Sequence, residues 1–372
     1  MLSIDEILSR KIADRCCRRD IKQIPDIIEI IKECCEDLGN EVPKIICCET
    51  LTRSLSAFYL RHKPYLIYDS CLLEGLYIFD SIVLTQSETK DFENFFFKLI
   101  GEELIRNGNI PWSMYFAGKY TKTKYTFEES ENYDSRKIQH MISLQSYFLI
   151  GHELGHLSVG ATENRKVPDT YCKFINACMK VLTDRVKEDY SFEEFIEMRY
   201  SYFIEDRPQN IEEYWSMFFR SPKYIHFIEE CYCDWNGVKL LLEHYTEPEE
   251  SVNAISYAFN YLILQEAIRS DISNDRIFFE DKKHPVSRSM YFAVLRMEIL
   301  LLTIQFNNLG TIENNFREIQ DHYKLMDYWL EIIKKIPSLD SFRRVTEKDL
   351  PNMDKDKIVN ILLSTFYYAH IV

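Results

Sequence analysis

The stretch Phe148-Leu149-Ile150-Gly151-His152-Glu153-Leu154-Gly155-His156-Leu157 places an H-E-x-x-H motif inside an apolar run. Apolar residues recur at helical spacing around it, which predicts a helix over residues 138–158. On such a helix His152 and His156 lie one turn apart on the same face, so both imidazoles can bind one zinc ion. Glu153 can then take a proton from a water on that metal, which is the chemistry of a metallopeptidase.

The motif also has a simpler interpretation, a surface helix that carries two unrelated histidines. With nine histidines in 372 residues, H-E-x-x-H arises by chance in on the order of a few per cent of such chains. The flanking residues are too apolar for a solvated face, so the polar side chains would be partly buried and would need partners. The metal site is therefore the favoured interpretation.

The composition argues against nucleic-acid and membrane partners. The chain has 46% hydrophobic and 14% aromatic residues, enough to fill one large core or two ordinary ones. A net charge of −14 without a basic stripe disfavours binding to phosphate backbones or anionic lipids. The apolar segment 290–306 contains Arg296, Glu298 and Gln305, which is typical of a buried helix rather than a membrane span. Residues 1–6 include acids where a signal peptide needs a basic start, so we expect a cytoplasmic protein.

The eleven cysteines favour reduced thiols over a disulfide framework in a chain of this length. Three adjacent pairs, Cys16-Cys17, Cys34-Cys35 and Cys47-Cys48, lack the C-x-x-C spacing of a zinc site. We interpret them as small core residues, with a second zinc site as the less favoured alternative.

The pattern along the chain predicts an α+β, mostly helical protein with one small sheet. The predicted organisation is a helical cap at 1–42, a core at 43–310 with a helical insertion at about 161–227, and a helical extension at 311–372. Short β-branched and aromatic runs at 45–48, 55–60 and 65–68 predict strands, within a sheet region that extends to residue 84. Further helices are predicted at 1–41, 91–106, 228–238, 252–269, 286–306, 312–336 and 357–370. The polar segment 121–136 is predicted to be a loop or a lid.

A catalytic zinc with two histidine ligands needs a third protein ligand and an open position for water. In the helix predicted at 228–238, Glu230 and Asp234 form an E-x-x-x-D pair on one face, so one can bind the metal while the other accepts a ring N–H of a ligand histidine. Glu229 is the rival ligand, but it lacks an aspartate four residues on. The alternative is an acidic helix start that only complements the helix dipole, and the apolar neighbours weaken it.

A second cluster, His284-Pro285-Val286-Ser287-Arg288, precedes an apolar helix. A histidine near the metal could donate to the oxyanion of a tetrahedral intermediate, and Arg288 could hold the loop or bind substrate carbonyls. A His-Pro pair before a helix is also a common N-terminal turn. On the residues alone both interpretations stay open.

These motifs together resemble zinc metallopeptidases of the gluzincin class, within it the HtpX-type and CAAX-prenyl-type peptidases and their soluble relatives, the Lit phage-exclusion peptidases. Three features match in the same order: His152 to His156, Glu230 to Asp234, and His284-Pro285 followed by an arginine. A looser match is Ala57-Phe58, the run 65–68 and Leu72-Leu73-Glu74, similar to the N-A-F, strand, G-L-L run of those peptidases. The resemblance covers about residues 54–296.

The chain departs from the family pattern at three places. An insertion separates His156 from Glu230, Cys233 stands where a small alanine is usual, and Arg288 follows His284 more closely than in the HtpX pattern. The membrane helices of the HtpX and prenyl-peptidase groups are absent from the sequence pattern, which favours the soluble, Lit-like branch.

The resemblance implies a zincin-like core and a soluble zinc endopeptidase that cleaves a cytosolic protein, with a role in bacterial or prophage defence. It assigns one zinc ion to His152, His156 and Glu230, the general base to Glu153, and supporting roles to Asp234, His284 and Arg288. Two alternatives remain: a regulatory peptidase that cleaves a repressor, and a non-catalytic, metallopeptidase-like binding protein. Two imidazoles and one carboxylate also suit other divalent metals.

Overall fold

The computed structural model describes most of the chain between residues 18 and 307. The described residues are 18–19, 25–50, 53, 55–86, 89–120, 125–160, 167–189, 191–193, 207–245, 247–273 and 288–307, with isolated positions at 331–332, 335, 359, 361–362 and 365–366. The strands are β1 (Arg18–Arg19), β2 (Lys44–Glu49), β3 (Leu55–Leu60) and β4 (Lys63–Asp69). The helices are α1 (Pro25–Leu38), α2 (Ser70–Thr85), α3 (Thr89–Arg106), α4 (Ile110–Tyr120), α5 (Ser135–Gly160), α6 (Asp169–Asp189), α7 (Ile211–Arg220), α8 (Pro222–His244), α9 (Pro248–Ser273) and α10 (Arg288–Phe306).

The mostly helical α+β class predicted from the sequence is confirmed. The four described strands form one mixed sheet in the order β1-β2-β4-β3, in which β2 and β4 are parallel and the other pairs antiparallel. All three predicted strands are present as β2, β3 and β4. Since β3 is the last strand in this order, its outer edge faces away from the sheet and toward the helices.

Two segments differ from the prediction. Arg18–Arg19, expected to be helical, pairs with Glu49 and Cys48 of β2. Residues up to 84, assigned to the sheet region, form α2 from Ser70 onward, and the Asp69 side chain caps this helix by accepting a hydrogen bond from the Cys71 amide. Residues 72–82 of α2 are buried on all sides, so the helix lacks the polar stripe that reveals a 3.6-residue period in sequence.

The helices predicted at 91–106, 138–158, 228–238, 252–269 and 286–306 are present, as α3, α5, α8, α9 and α10, most of them longer than predicted. Between α4, which the sequence did not predict, and α5, residues 125–134 form a loop with a 3-10 turn at Phe127–Glu129, as expected. The predicted helices at 312–336 and 357–370, most of the predicted helix before residue 25, and His284 lie outside the described residues, apart from isolated positions.

The buried side chains form two main hydrophobic clusters. The larger one joins α1, β4, α2, α3, α5, α9 and the inner faces of α8 and α10. The second joins α6 and α7 to the start of α8 and to another face of α10, through Ile175, Met179, Tyr214, Trp215, Phe218, Phe227, Ile228, Phe292, Leu295 and Ile299. The helices of the predicted insertion therefore pack in a second hydrophobic cluster, together with residues of α8 and α10.

A buried ionic network holds the connection between β2 and β3. Arg53, in that connection, forms an ion pair with Glu102 of α3. Lys98 lies 2.8 Å from Glu102 and 3.1 Å from Glu74 of α2, and it also donates to the carbonyl of Phe366. Both cations are almost fully buried, so removing one partner would leave an uncompensated charge in the core. The network fixes the position at which β3 begins.

The nine described cysteines are all free thiols, and Cys34, Cys35 and Cys48 are buried as core residues, as predicted. Cys16 and Cys17 lie outside the described residues. Among the described helices, none combines the length and apolar character needed to cross a membrane.

A carboxyl group lies in the core between α2 and α5. Asp80 is fully buried, and its Oδ1 accepts a hydrogen bond of 3.1 Å from Gln145 Nε2. Its Oδ2 has no hydrogen-bond partner among the described residues. Burial raises the pKa of Asp80, and the hydrogen bond from Gln145 lowers it by less. The net result is a pKa of about 8. The folded protein therefore holds a neutral aspartic acid at neutral pH.

This shift makes a pH-dependent contribution to stability. Because the pKa of Asp80 is raised on folding, the contribution is complete below pH 4 and is lost as the pH rises to about 8, by up to about 1.4 kcal/mol per pH unit. Asparagine has nearly the same shape as aspartate and carries no charge. We therefore expect the stability of Asp80→Asn relative to wild type to increase as the pH rises over this range. Urea denaturation of both proteins at pH 5, 7 and 9 measures the difference. A difference that does not change with pH would contradict the assignment.

Candidate metal centre

Glycines allow α5 and α8 to cross at very short range. A Cβ built on Gly237 of α8 would lie 2.4 Å from the Phe148 carbonyl oxygen of α5. A Cβ on Gly151 would lie 2.9 Å from the Gly237 Cα, and one on Gly155 would lie 3.2 Å from the Cys233 Cα. Contacts this short leave no room for larger residues without a shift of backbone. The H-E-x-x-H helix therefore packs directly against the backbone of the E-x-x-x-D helix.

This crossing brings together the three side chains that the sequence assigned to a metal. His152 Nε2 lies 3.5 Å from Glu230 Oε2, and His156 Nε2 lies 3.4 Å from Glu230 Oε1. One ligand atom from each of the three residues lies within 4.8 Å of the others. Ligand atoms about 2.0–2.1 Å from a tetrahedral zinc ion are about 3.3 Å apart. The two imidazoles and the carboxylate could therefore hold a metal ion between them.

The outer ring nitrogens of both histidines face carboxylates of α8. His152 Nδ1 lies 2.8 Å from Asp234 Oδ1, which is the arrangement predicted for Asp234. His156 Nδ1 lies 3.1 Å from Glu229 Oε1. Glu229, the rival ligand in the sequence, therefore contacts the outer side of the ring while Glu230 contacts the inner side. A carboxylate that accepts the outer ring N–H fixes the tautomer that leaves Nε2 available to a metal, and Glu229 stands in this position for His156.

Arg296 of α10 binds both acidic residues of the E-x-x-x-D pair. Its Nη1 lies 2.8 Å from Glu230 Oε2, and its Nη2 and Nε donate to the two oxygens of Asp234 at 2.7 and 2.9 Å. The sequence analysis used Arg296 only to exclude a membrane span. The signal was nevertheless present, because a buried arginine in an apolar helix requires carboxylate partners.

The centre has an excess of negative charge. Burial by itself raises the pKa of Glu230 and Asp234, but the Arg296 guanidinium and the neighbouring histidines together outweigh it and hold both pKa values below their usual range. The Glu153 carboxyl has a raised pKa, because burial outweighs the nearby histidines. When ionised, Glu153, Glu229, Glu230 and Asp234 carry four negative charges, and the Arg296 guanidinium compensates one of them. A divalent cation would reduce the remaining excess.

The surroundings of His156 favour a proton on its ring. Burial by itself lowers the pKa of His156, but hydrogen bonds to Cys233 and Glu230 and the charge of Glu153 raise it to about 12. A metal on Nε2 would replace this proton, since a ligand imidazole must be neutral.

Glu153 lies between the histidines and the sheet. Its Oε2 accepts a hydrogen bond of 2.9 Å from the Ala57 amide of β3. This amide therefore points away from β4 and toward α5. The hydrogen bond joins the carboxylate of H-E-x-x-H to the outer edge of the strand.

The two residues of the His-Pro cluster cannot be located in the site. His284 and the side chain of Arg288 lie outside the described residues, and Arg288 is the first residue of α10. Another histidine, which the sequence analysis did not single out, lies next to the centre: His226 Nδ1 is 3.8 Å from Glu230 Oε1. Its signal in the sequence was its position four residues before Glu230, on the same face of α8.

Comparison of the chain with models of protein families, with curated proteins and with solved structures gave no match. The functional interpretation therefore depends on the geometry of the site and on the motif resemblance.

The helix crossing can be tested with Gly237→Ala. The added Cβ would collide with the Phe148 carbonyl and push α8 away from α5. We expect a loss of about 1–3 kcal/mol of stability from overpacking, together with weaker zinc binding. Gly118→Ala is the matched control, because a Cβ on this exposed helical glycine meets nothing within 4 Å. That variant should be neutral or more stable by roughly 0.5–1 kcal/mol. Equal stabilities and zinc affinities of the two variants would contradict the proposed crossing.

The role of Arg296 can be tested with Arg296→Lys, which keeps the charge and loses the forked contacts. We expect zinc affinity to fall by about 10–100-fold, because Glu230 and Asp234 lose the group that orients them. Competition with a chromophoric chelator measures this affinity. Arg269→Lys, at a partly exposed arginine that binds Glu266 of α9, is the control and should match wild type. Unchanged affinity in Arg296→Lys would show that the guanidinium does not orient the ligands.

Proposed function

We propose that the protein is a zinc-dependent endopeptidase. The observation that carries the proposal is the convergence of His152, His156 and Glu230, whose ligand atoms lie within 4.8 Å of one another, with Glu153 next to His152 in the chain. The zinc ion, when bound, would act as a Lewis acid on the scissile carbonyl and lower the pKa of its water. In this proposal the sheet, α5 and α8 correspond to a zincin-like core.

In this proposal Glu153 is the general base and then the general acid. It takes a proton from the attacking water while the water oxygen bonds to the carbonyl carbon. When the carbon–nitrogen bond breaks, Glu153 returns this proton to the leaving nitrogen, and the products are a carboxylic acid and an amine, which exchange a proton to become a carboxylate and an ammonium group. Its raised pKa suits both directions of transfer. The hydrogen bond from Ala57 orients the carboxylate beside the histidines.

The outer edge of β3 is the feature that favours a polypeptide as the substrate in this proposal. Ala57 directs its amide outward to Glu153, and in an antiparallel strand the amides of Leu55 and Tyr59, on either side of it, also point outward. An extended peptide can add to such an edge by main-chain hydrogen bonds. Because the edge passes Glu153, the peptide bond presented there is an internal one, which favours an endopeptidase over an exopeptidase.

The resemblance to the Lit peptidases extends this proposal to a protein target inside a bacterial cell and a role in phage exclusion. A regulatory peptidase that cleaves a repressor would have the same chemistry and a different target. Comparing new protein N-termini in cells that express wild type or Glu153→Gln identifies the target and separates the two roles.

The central test of the proposal is Glu153→Gln. The amide cannot accept the water proton, so we expect zinc content equal to wild type and peptidase activity lowered by at least about 100-fold. Metal analysis and digestion of a pool of quenched fluorescent peptides measure the two properties. Glu243→Gln, an exposed change on α8, is the control and should retain activity. Full biological effect in Glu153→Gln would instead support the non-catalytic binding protein.

A further inference from the structure

The face of α8 that carries the metal-centre acids begins with a histidine. His226, Glu230 and Asp234 lie at successive turns of this helix. On α10 the residues Phe292 and Arg296 have the same spacing and meet them in the same order. The His226 ring stacks on Phe292 with centroids 5.4 Å apart and planes 18° apart, while Arg296 binds Glu230 and Asp234. The packing of α10 against α8 therefore positions His226 together with the proposed ligand.

The His226 ring is solvent-exposed and lies beside Glu230. Its Nδ1 is 3.8 Å from Glu230 Oε1, the oxygen that lies 3.4 Å from His156 Nε2. The distance of 3.8 Å is too long for a hydrogen bond. The His226 side chain is 61% exposed, whereas that of Glu230 is 12% exposed. The Phe292 ring covers one face of the His226 imidazole. The imidazole remains largely exposed, so a substrate oxygen that enters the centre has access to it.

We propose that His226 is a further catalytic residue, which donates an N–H to the carbonyl oxygen of the scissile bond. This inference rests on the proposed peptidase function. As the water oxygen bonds to the carbonyl carbon, the π electron pair moves to the carbonyl oxygen and the water proton moves to Glu153. His226 stabilises the charge on that oxygen by its hydrogen bond and transfers no proton. When the carbon–nitrogen bond breaks, the proton on Glu153 moves to the leaving nitrogen and the hydrogen bond weakens.

The alternative is that His226 only fills space against Phe292. Two substitutions separate these roles. His226→Phe keeps an aromatic ring for stacking and removes the N–H donor, whereas His226→Gln removes the aromatic ring and keeps a donor. His140→Ala is the matched control, because His140 is also an exposed histidine paired with a glutamate, Glu250, but lies three turns before His152 on α5.

The experiment uses the zinc-loaded full chain and three measurements. The zinc dissociation constant shows whether the metal centre is intact. The kcat and KM are measured on the best-cleaved quenched peptide of the pool used for Glu153→Gln. The binding of a phosphoramidate dipeptide, whose tetrahedral anionic group mimics the transition state, is measured by calorimetry without turnover.

We expect His226→Ala and His226→Phe to keep the zinc affinity and the KM of wild type. Their kcat and their phosphoramidate affinity should both fall, kcat by about 100-fold, as for the loss of one oxyanion donor. His226→Gln should recover part of both losses, and His140→Ala should match wild type.

Three results would overturn the assignment. A normal kcat in His226→Phe would show that only the stacked ring matters, and loss of zinc from His226→Ala would make His226 a ligand. A kcat loss in His284→Ala together with a normal His226→Ala would assign the donor to His284. If wild type neither cleaves the peptide pool nor binds the phosphoramidate, the peptidase proposal fails first and this inference fails with it.

Discussion

The close crossing of α5 and α8 is the constraint on which the rest of the structure depends. Each helix fixes the spacing of its own side chains, so the distance between the helices decides whether Glu230 can reach both imidazoles. Glycines on both helices set that distance, since a Cβ on Gly237 would meet the Phe148 carbonyl at 2.4 Å. Glycine is unfavourable inside a helix by roughly 0.5–1 kcal/mol relative to alanine. The glycines therefore lower the stability of the helices at the positions where they let the two halves of the candidate metal centre meet.

The crossing creates an electrostatic problem, because it brings carboxylates together in a partly buried space. Desolvation alone would raise their pKa values and favour the neutral forms, which bind metals poorly. For Glu230 and Asp234, Arg296 and the neighbouring histidines together overcome this effect and lower the pKa of both. Arg296 comes from a third helix, so the geometry of the centre depends on the packing of α10 as well as α8.

The sequence predicts the parts of this site that depend on local spacing. His152 and His156 are one turn apart by helix geometry, and so are Glu230 and Asp234, so the order of the residues already places each pair on one face. The role of Arg296 depends on tertiary packing, since its partners lie 66 and 62 positions earlier in the chain. Helix α2 was assigned to the sheet region for a related reason. A helix that is buried on every side has no polar stripe, so its period is absent from the sequence.

Helices α8 and α10 contribute residues both to the hydrophobic cluster of α6 and α7 and to the candidate metal centre. Phe227 and Ile228 of α8 pack in the cluster of α6 and α7, while Glu230, two residues later, faces the imidazoles. On α10, Leu295 belongs to that cluster and the adjacent Arg296 binds the acids. The positions of Glu230 and Arg296 therefore depend on the packing of α6 and α7 as well as on that of α8 and α10.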